Sequence, residues 1–214
     1  HDDTRPSRSD RHGQSHRETL VVVGRPRAEL LERLQTAAAD MQVVVGTKAD
    51  DFAQSAPEAT VILCWGPSGP LLSEVLPLAP HVRWVHIMSA GLDTALSAEL
   101  LATPAVVTNG RGVFSRSLGE WVMAAVLFFA KDLRRLIDNQ AAAQWRQFDV
   151  EEVQGRTIGI VGYGDIGRAV AVRARAMGMR VLGLTRRGPQ PGQDDDVAER
   201  IFAPAERIAM LEQC

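Results

Sequence analysis

Long apolar runs, paired cysteines and an excess of either charge are all missing from this sequence of 214 residues. The apolar stretch VMAAVLFFA, residues 122–130, falls well short of the roughly 20 residues that cross a bilayer, so no membrane segment is expected. The first 19 residues carry no strongly apolar side chain and hence no secretory h-region. They mix Arg5, Arg8, Arg11 and Arg17 with acids, serines and histidines, which predicts a disordered tail over 1–19. The first residue is His rather than Met, which marks a trimmed or processed piece. The two cysteines, Cys64 and Cys214, form no C-x-x-C pair, which argues against a disulfide framework and for a reducing cytoplasm. A net charge of -2 gives no general reason to bind nucleic acid or an anionic membrane.

What is present is an alternation of strand-like and helix-like segments. TLVVVG (19–24), MQVVVG (41–46), TVILCW (60–65), VRWVHIMS (82–89) and PAVVTN (104–109) read as strands. Leu30, Leu31 and Leu34 make a helical stripe between the first two, and a short helix is expected over 51–58. Near-continuous apolar strands separated by helices predict a parallel sheet covered on both faces. A long helix is expected over 117–137, opened by a Ser117/Glu120 capping box. It is apolar around most of its circumference, which predicts burial between domains or in a subunit interface. Trp65, Trp84 and Trp121 are expected in packing roles, and Asp93 is expected to cap a helix beginning at Thr94 or Ala95.

The strongest motif follows. The strand TIGIVG (157–162) runs into Gly162-Tyr163-Gly164-Asp165-Ile166-Gly167, then a helix, then the strand RVLGLT (180–185). This is G-x-G-x-x-G in its required strand–helix–strand setting. Gly162 permits the tight turn, Gly164 lets a pyrophosphate approach the backbone, and Gly167 lets the helix lie close to the strand. Tyr163 is expected to lend its backbone to the loop, and the amides near Asp165 and Ile166 point at phosphate. Binders of NAD usually place an acid at the end of the second strand to hold the ribose 2′-OH. Here Thr185-Arg186-Arg187 stands instead, and two guanidiniums suit a 2′-phosphate. NADP is therefore expected in preference to NAD. The acid run Asp194–Asp196 reads as a solvated loop rather than a metal site.

Three further stretches, together with this motif, resemble the NAD(P)-dependent D-isomer-specific 2-hydroxyacid dehydrogenases over about residues 20–214. HIMSAGLDTAL (86–96) resembles the family's strand-to-loop turn, whose amides hold the substrate carboxylate; the matching positions are Ala90 and Gly91. TNGRGVFSRSLGEWVMAAVLFFAKDLRR resembles the family's linker and long helix, matching Asn109, Ser115 and Glu120. VQGRTIGIVGYGDIGRAVAVRARAMGMRVLG resembles its cofactor signature. The resemblance implies an α/β protein of two domains. A flavodoxin-like substrate domain spans 20–112, and a Rossmann domain, incomplete at its C-terminus, spans 113–214.

It also implies an oxidoreductase that passes hydride between NAD(P)H and a 2-keto acid such as glyoxylate or hydroxypyruvate, working as a homodimer. The family's catalytic Arg, acid and His match nothing here. PAERIAMLEQC (204–214) reads as the helix before the next Rossmann strand, so only the first two strands of that domain are expected. His81 and His86 are the histidines outside the tail, and Arg111 lies in the linker. None is assigned a catalytic role, and the chain alone is expected to be inactive. The alternative is a non-catalytic dinucleotide-sensing or co-repressor-like module, because one fold hosts either. A Rossmann-like methyltransferase is disfavoured, since it would usually keep an acid where Thr185 stands.

Overall fold

The computed structural model describes residues 17–189 and 195–214. Of the disordered tail expected over 1–19, residues 1–16 with His1, His12 and His16 lie outside them, as does the part of the acid run at Asp194, whereas Thr19 is corrected to a buried strand residue. The chain divides into two compact units between Asn109 and Gly110.

The first unit is a five-stranded parallel sheet. Its strands are β1 (Thr19–Val23), β2 (Gln42–Gly46), β3 (Ala59–Cys64), β4 (Trp84–Ile87) and β5 (Val106–Asn109). Their spatial order is β2-β1-β3-β4-β5, the flavodoxin-like order. Every residue of β1 is buried, as a central strand covered on both faces requires. Successive side chains go to opposite faces. Val21 and Val23 join Phe52, Ile62, Leu72 and Val85 on one side, while Leu20 and Val22 join Leu63 on the other. Helices α1 (Ala28–Ala37), α2 (Gly69–Val75) and α3 (Ala98–Ala102) connect the strands.

Two sequence expectations are corrected in this unit. The segment 51–58 is two 3-10 turns, Ala49–Phe52 and Ala56–Glu58, rather than one helix. The Asp51 carboxylate accepts from the amides of Thr47 and Lys48 at 2.8 and 3.0 Å, which folds the chain back on itself. Phe52 then anchors the turn in the core. Asp93 caps no helix. α3 begins later, where the Ser97 hydroxyl accepts from the Leu100 amide at 3.2 Å.

The second unit carries β6 (Thr157–Val161), β7 (Arg180–Leu184) and β8 (Arg200–Phe202) in a parallel sheet of order β6-β7-β8. Its helices are α4 (Ser115–Ala130), α5 (Leu133–Ala141), α6 (Asp165–Ala176) and α7 (Arg207–Leu211). β8 is a third strand where two were expected. Three residues are too short to show a period in sequence, yet Phe202 is fully buried and Arg180 grips Glu199 through two hydrogen bonds of 2.9 and 2.7 Å.

The long helix is also corrected. It is two helices, broken at Asp132, which takes the left-handed conformation (φ 44°) and caps α5 by accepting from the Arg135 amide. Short polar side chains tolerate that conformation, and Asp is a favoured N-cap. The Ser117/Glu120 capping box does not form. The helix starts two residues earlier, and Glu120 faces Arg116 and Arg173, each at 3.4 Å. α4 packs on α6 along Ser115, Gly119 and Met123. Gly119 permits the approach, since a Cβ there would meet the Ala169 backbone at 3.1 Å. The opposite side of α4 is open: Trp121 is 69% exposed and Phe129 79% exposed, so Trp121 packs far less than expected. Among the described residues no helix is long and apolar enough to cross a membrane.

Candidate functional site

The site is built on the turn from β6 to α6. Gly162 has φ +95°, a conformation that L side chains rarely adopt. Its amide and that of Tyr163 both donate to the Leu184 carbonyl, at 3.0 and 2.8 Å, which ties the turn to the end of β7. At Gly167 a Cβ would sit 2.5 Å from the Gly162 carbonyl oxygen and 3.1 Å from Ile160. The helix and strand therefore touch through a hydrogen atom alone. At Gly164 the same construction meets nothing within 4 Å, so the space above it is open.

α6 has no side-chain cap at Gly164, and among the described residues the amides of Asp165 and Ile166 meet no acceptor. An uncapped helix start beside an open glycine is the donor set that a pyrophosphate needs. The residues present thus fit a dinucleotide. Asp165 turns its carboxylate away to accept from the buried Ser115 hydroxyl.

The side of this site toward β7 is fixed by Tyr163. Its ring is buried over Gly183, where a Cβ would lie 2.7 Å from ring carbons. Its hydroxyl donates to Asp195 Oδ1 at 2.9 Å, and the same oxygen accepts from the amides of Val197 and Ala198 at 2.8 Å. Arg168 stands 3.9 Å from Asp195 and 2.6 Å from Asp196. Burial, and then Asp195, pushes the Tyr163 phenol well above its ordinary value. Burial works against ionised Asp195, but hydrogen bonds from Ala198, Val197 and Tyr163 hold its carboxyl below the usual range.

Tyr163→Phe is expected to cost about 1.5–3 kcal/mol in urea unfolding at pH 7, the worth of one hydrogen bond to a charged acceptor. Tyr163 stabilises the fold fully below the phenol's ordinary 10.0 and loses that contribution as pH rises above it, because the folded state holds the proton longer. Asp195 contributes above 3.8 and loses its contribution as pH falls toward its lower folded value. The gap between wild type and Tyr163→Phe should therefore narrow above pH 10. An equal gap at pH 7 and above pH 10 would contradict this.

Beyond Leu184 the chain turns at Thr185. The Thr185 hydroxyl donates to the Gly188 carbonyl at 3.0 Å, and Gly188 has φ +67°. Arg186 and Arg187 are exposed on this turn, and no acid occupies its start.

In the first unit, the turn after β4 carries Ala90 and Gly91. The Ser89 hydroxyl donates to the Gly91 carbonyl at 2.6 Å, and Asn109 Nδ2 donates to the Ala90 carbonyl at 2.7 Å. Both carbonyls are engaged, while among the described residues the amides of Ala90 and Gly91 meet no acceptor. His86 Nδ1 lies 2.8 Å from the Thr108 hydroxyl, which also accepts from the Trp84 indole at 2.8 Å. It is a partnered strand histidine. Cys64 is buried, and burial pushes its thiol up to about 11, so it stays protonated at neutral pH. No cluster suited to a metal ion occurs among the described residues.

Residues 123–212 match the family described as D-isomer specific 2-hydroxyacid dehydrogenase, NAD binding domain. The chain is 29% identical over 144 residues to glyoxylate reductase of Thermococcus gammatolerans, a match covering 63% of this chain and 42% of that enzyme. Residues 123–212 of this chain are thus similar to the NAD binding domain of the D-isomer specific 2-hydroxyacid dehydrogenases.

The fold agrees. A family protein from Aeromonas salmonicida superposes with a TM-score of 0.72 at 24% identity, covering 92% of this chain and 62% of that one. D-lactate dehydrogenase from Aquifex aeolicus, solved with NAD and lactic acid, superposes at 0.71 with 21% identity, covering 92% and 58%. The chain thus spans less than two thirds of the length of these family members. A nicotinamide dinucleotide is the cofactor class of the family.

Two features of this chain escaped the sequence. The Tyr163–Asp195 bond spans 32 positions with no motif joining them. The Asn109–Ala90 bond spans 19 and follows from β4 and β5 pairing in register, Ile87 with Asn109. The strand pairing was legible, and it was the one signal that could have found it.

Proposed function

We propose that the chain supplies the dinucleotide turn and the carboxylate turn of an NADPH-dependent 2-keto acid reductase of the glyoxylate or hydroxypyruvate type. Residues 20–112 form its substrate part and 113–214 its dinucleotide part. The observation that carries this reading is the open glycine at Gly164 below an uncapped α6. Gly162, Tyr163 and Gly167 shape that turn, and the amides of Asp165 and Ile166 bind the pyrophosphate. Thr185 leaves the ribose 2′ position without an acid, and Arg186 and Arg187 hold a 2′-phosphate there. In the first unit the amides of Ala90 and Gly91 bind the keto acid's carboxylate, in a turn held open by Asn109. When bound, NADPH supplies hydride to the carbonyl carbon. No residue of this chain is assigned the proton-donating role.

The test is NADPH oxidation with glyoxylate and with hydroxypyruvate, run beside thermal unfolding of the same samples. NADPH is expected to raise the Tm without turnover. Turnover would locate the proton donor within these residues and overturn the assignment, and an unchanged Tm would overturn the cofactor reading.

The protein is further proposed to act as a homodimer in the cytoplasm. Trp121 and Phe129 on α4 and Trp145 after α5 are 69%, 79% and 93% exposed, large aromatic side chains of the kind that subunit interfaces cover. Two free cysteines accord with a reducing compartment. Sedimentation should give a dimer for wild type and a monomer for Phe129→Asp, and an unchanged profile would contradict the interface.

A further inference from the structure

A cavity of about 580 Å³ opens at the C-terminal ends of β1, β2 and β3. Its place in the sheet is informative. The chain runs from β1 outward to β2, then crosses back so that β3 lies on the other side of β1. Open parallel sheets bind ligands outside the carboxyl ends of their strands at such a reversal. The volume suits a small organic molecule.

The walls are apolar: Trp65, Pro67 and Leu71 line them. One ionised side chain, Arg25, lines the cavity, and among the described residues it has no ion pair or hydrogen bond. Other polar groups nearby are already engaged. The Ser68 hydroxyl donates to the Trp65 carbonyl at 2.8 Å, and the Thr47 amide donates to Asp51. The Gly66 amide meets no acceptor among the described residues, and Gly66 has φ +64° with open space where a Cβ would point. Gly24 keeps the β1 end tight against this loop, since a Cβ there would lie 2.5 Å from the Trp65 carbonyl oxygen. The cavity therefore offers an apolar body with a cation and one backbone donor, which matches a molecule with an apolar stem and an anionic end.

The same loop packs on the carboxylate turn. The Met88 amide donates to the Cys64 carbonyl at 3.1 Å, and a Cβ on Gly69 would lie 1.7 Å from the Thr94 carbonyl oxygen. The cavity wall and the turn at Ala90 and Gly91 are thus adjoining loops of one unit.

We propose that this cavity receives the far end of the substrate and that Arg25 selects 2-keto acids carrying a second carboxylate. The inference rests on the proposed role of Ala90 and Gly91 in holding the first carboxylate. Arg25 is a specificity residue, distant from the reacting carbonyl, and a stem of two or three carbons lies along Trp65 and Leu71.

The test is an amide-resolved NMR titration of the full chain with 2-ketoglutarate and with 2-ketovalerate, which has the same carbon chain without the second carboxylate. 2-Ketoglutarate should move the amides of Ala90, Gly91, Gly66 and Ser68 and bind at least fivefold tighter than 2-ketovalerate. Arg25→Met should remove that difference while leaving 2-ketovalerate binding and the rest of the spectrum unchanged, and Arg25→Lys should restore part of it. Equal binding of the two acids, or still amides at Gly66 and Ser68 while Ala90 and Gly91 move, would overturn this inference alone. Still amides at Ala90 and Gly91 with both acids would instead overturn the carboxylate turn on which it rests.

Discussion

Gly164→Ala should weaken dinucleotide binding at least tenfold while leaving the fold intact, whereas Gly167→Val should damage both. The two glycines stand three residues apart in one motif, yet their surroundings are opposite. A methyl on Gly164 enters open space, and its φ of -106° is one that any residue adopts. The variant should therefore unfold in urea within about 0.5 kcal/mol of wild type, as a substitution that meets no neighbour does. The methyl occupies the room the pyrophosphate needs, so NADPH affinity should fall at least tenfold.

A side chain on Gly167 instead drives into the Gly162 carbonyl oxygen 2.5 Å away, which is backbone and cannot swing aside. Overpacking of this kind costs about 1–3 kcal/mol. It also shifts the turn that aims the first amides of α6, so binding falls with stability. Urea unfolding with NADPH fluorescence separates the two cases. Equal NADPH affinity for wild type and Gly164→Ala would show that the open space is not the pyrophosphate's.

The second large effect concerns the choice between NADPH and NADH. Replacing Arg186 and Arg187 together by Ala should weaken NADPH by about 10–100-fold, since a hydrogen bond to a charged group is worth about 1.5–3 kcal/mol. NADH lacks the 2′-phosphate and should bind the variant as it binds wild type. The arginines are exposed and no acid stands at the start of their turn. Their field is screened by salt, so the NADPH advantage should also shrink as ionic strength rises. Equal losses for both dinucleotides would show that the arginines merely support the turn.

The parts of this fold that were legible in sequence are those governed by a repeated local rule. The five strands of the first unit announced themselves as β-branched runs ending in glycine or proline, and the flavodoxin-like order followed from the family resemblance. G-x-G-x-x-G was legible because each glycine meets a separate steric demand, and at Gly167 the demand is a contact of 2.5 Å.

The misses share another cause. The stretch 117–137 is apolar over most of its length, and Leu133, Leu136 and Ile137 carry the pattern past the charged residues Lys131 and Asp132. The break depends on one Asp in a left-handed conformation. β8 is held by register with β7 and by the burial of Phe202, and a run of three residues displays neither as a period. The capping box failed because the helix starts at Ser115, which puts Ser117 inside its first turn and leaves Glu120 to face Arg173 on α6, 53 positions away. Tyr163 was read for its backbone, while its hydroxyl reaches across the sheet to Asp195. Long-range partners of this kind leave no spacing for a sequence pattern to display.

The most direct measurement is calorimetric titration of the 214-residue chain with NADPH and with NADH at one fixed salt concentration. Saturable 1:1 binding of NADPH, tighter than that of NADH, is the expected result and places a dinucleotide on the β6–α6 turn with its 2′-phosphate at Arg186 and Arg187. No binding of either dinucleotide to the folded chain would contradict the cofactor site itself, and tighter NADH binding would contradict the assignment of the arginines.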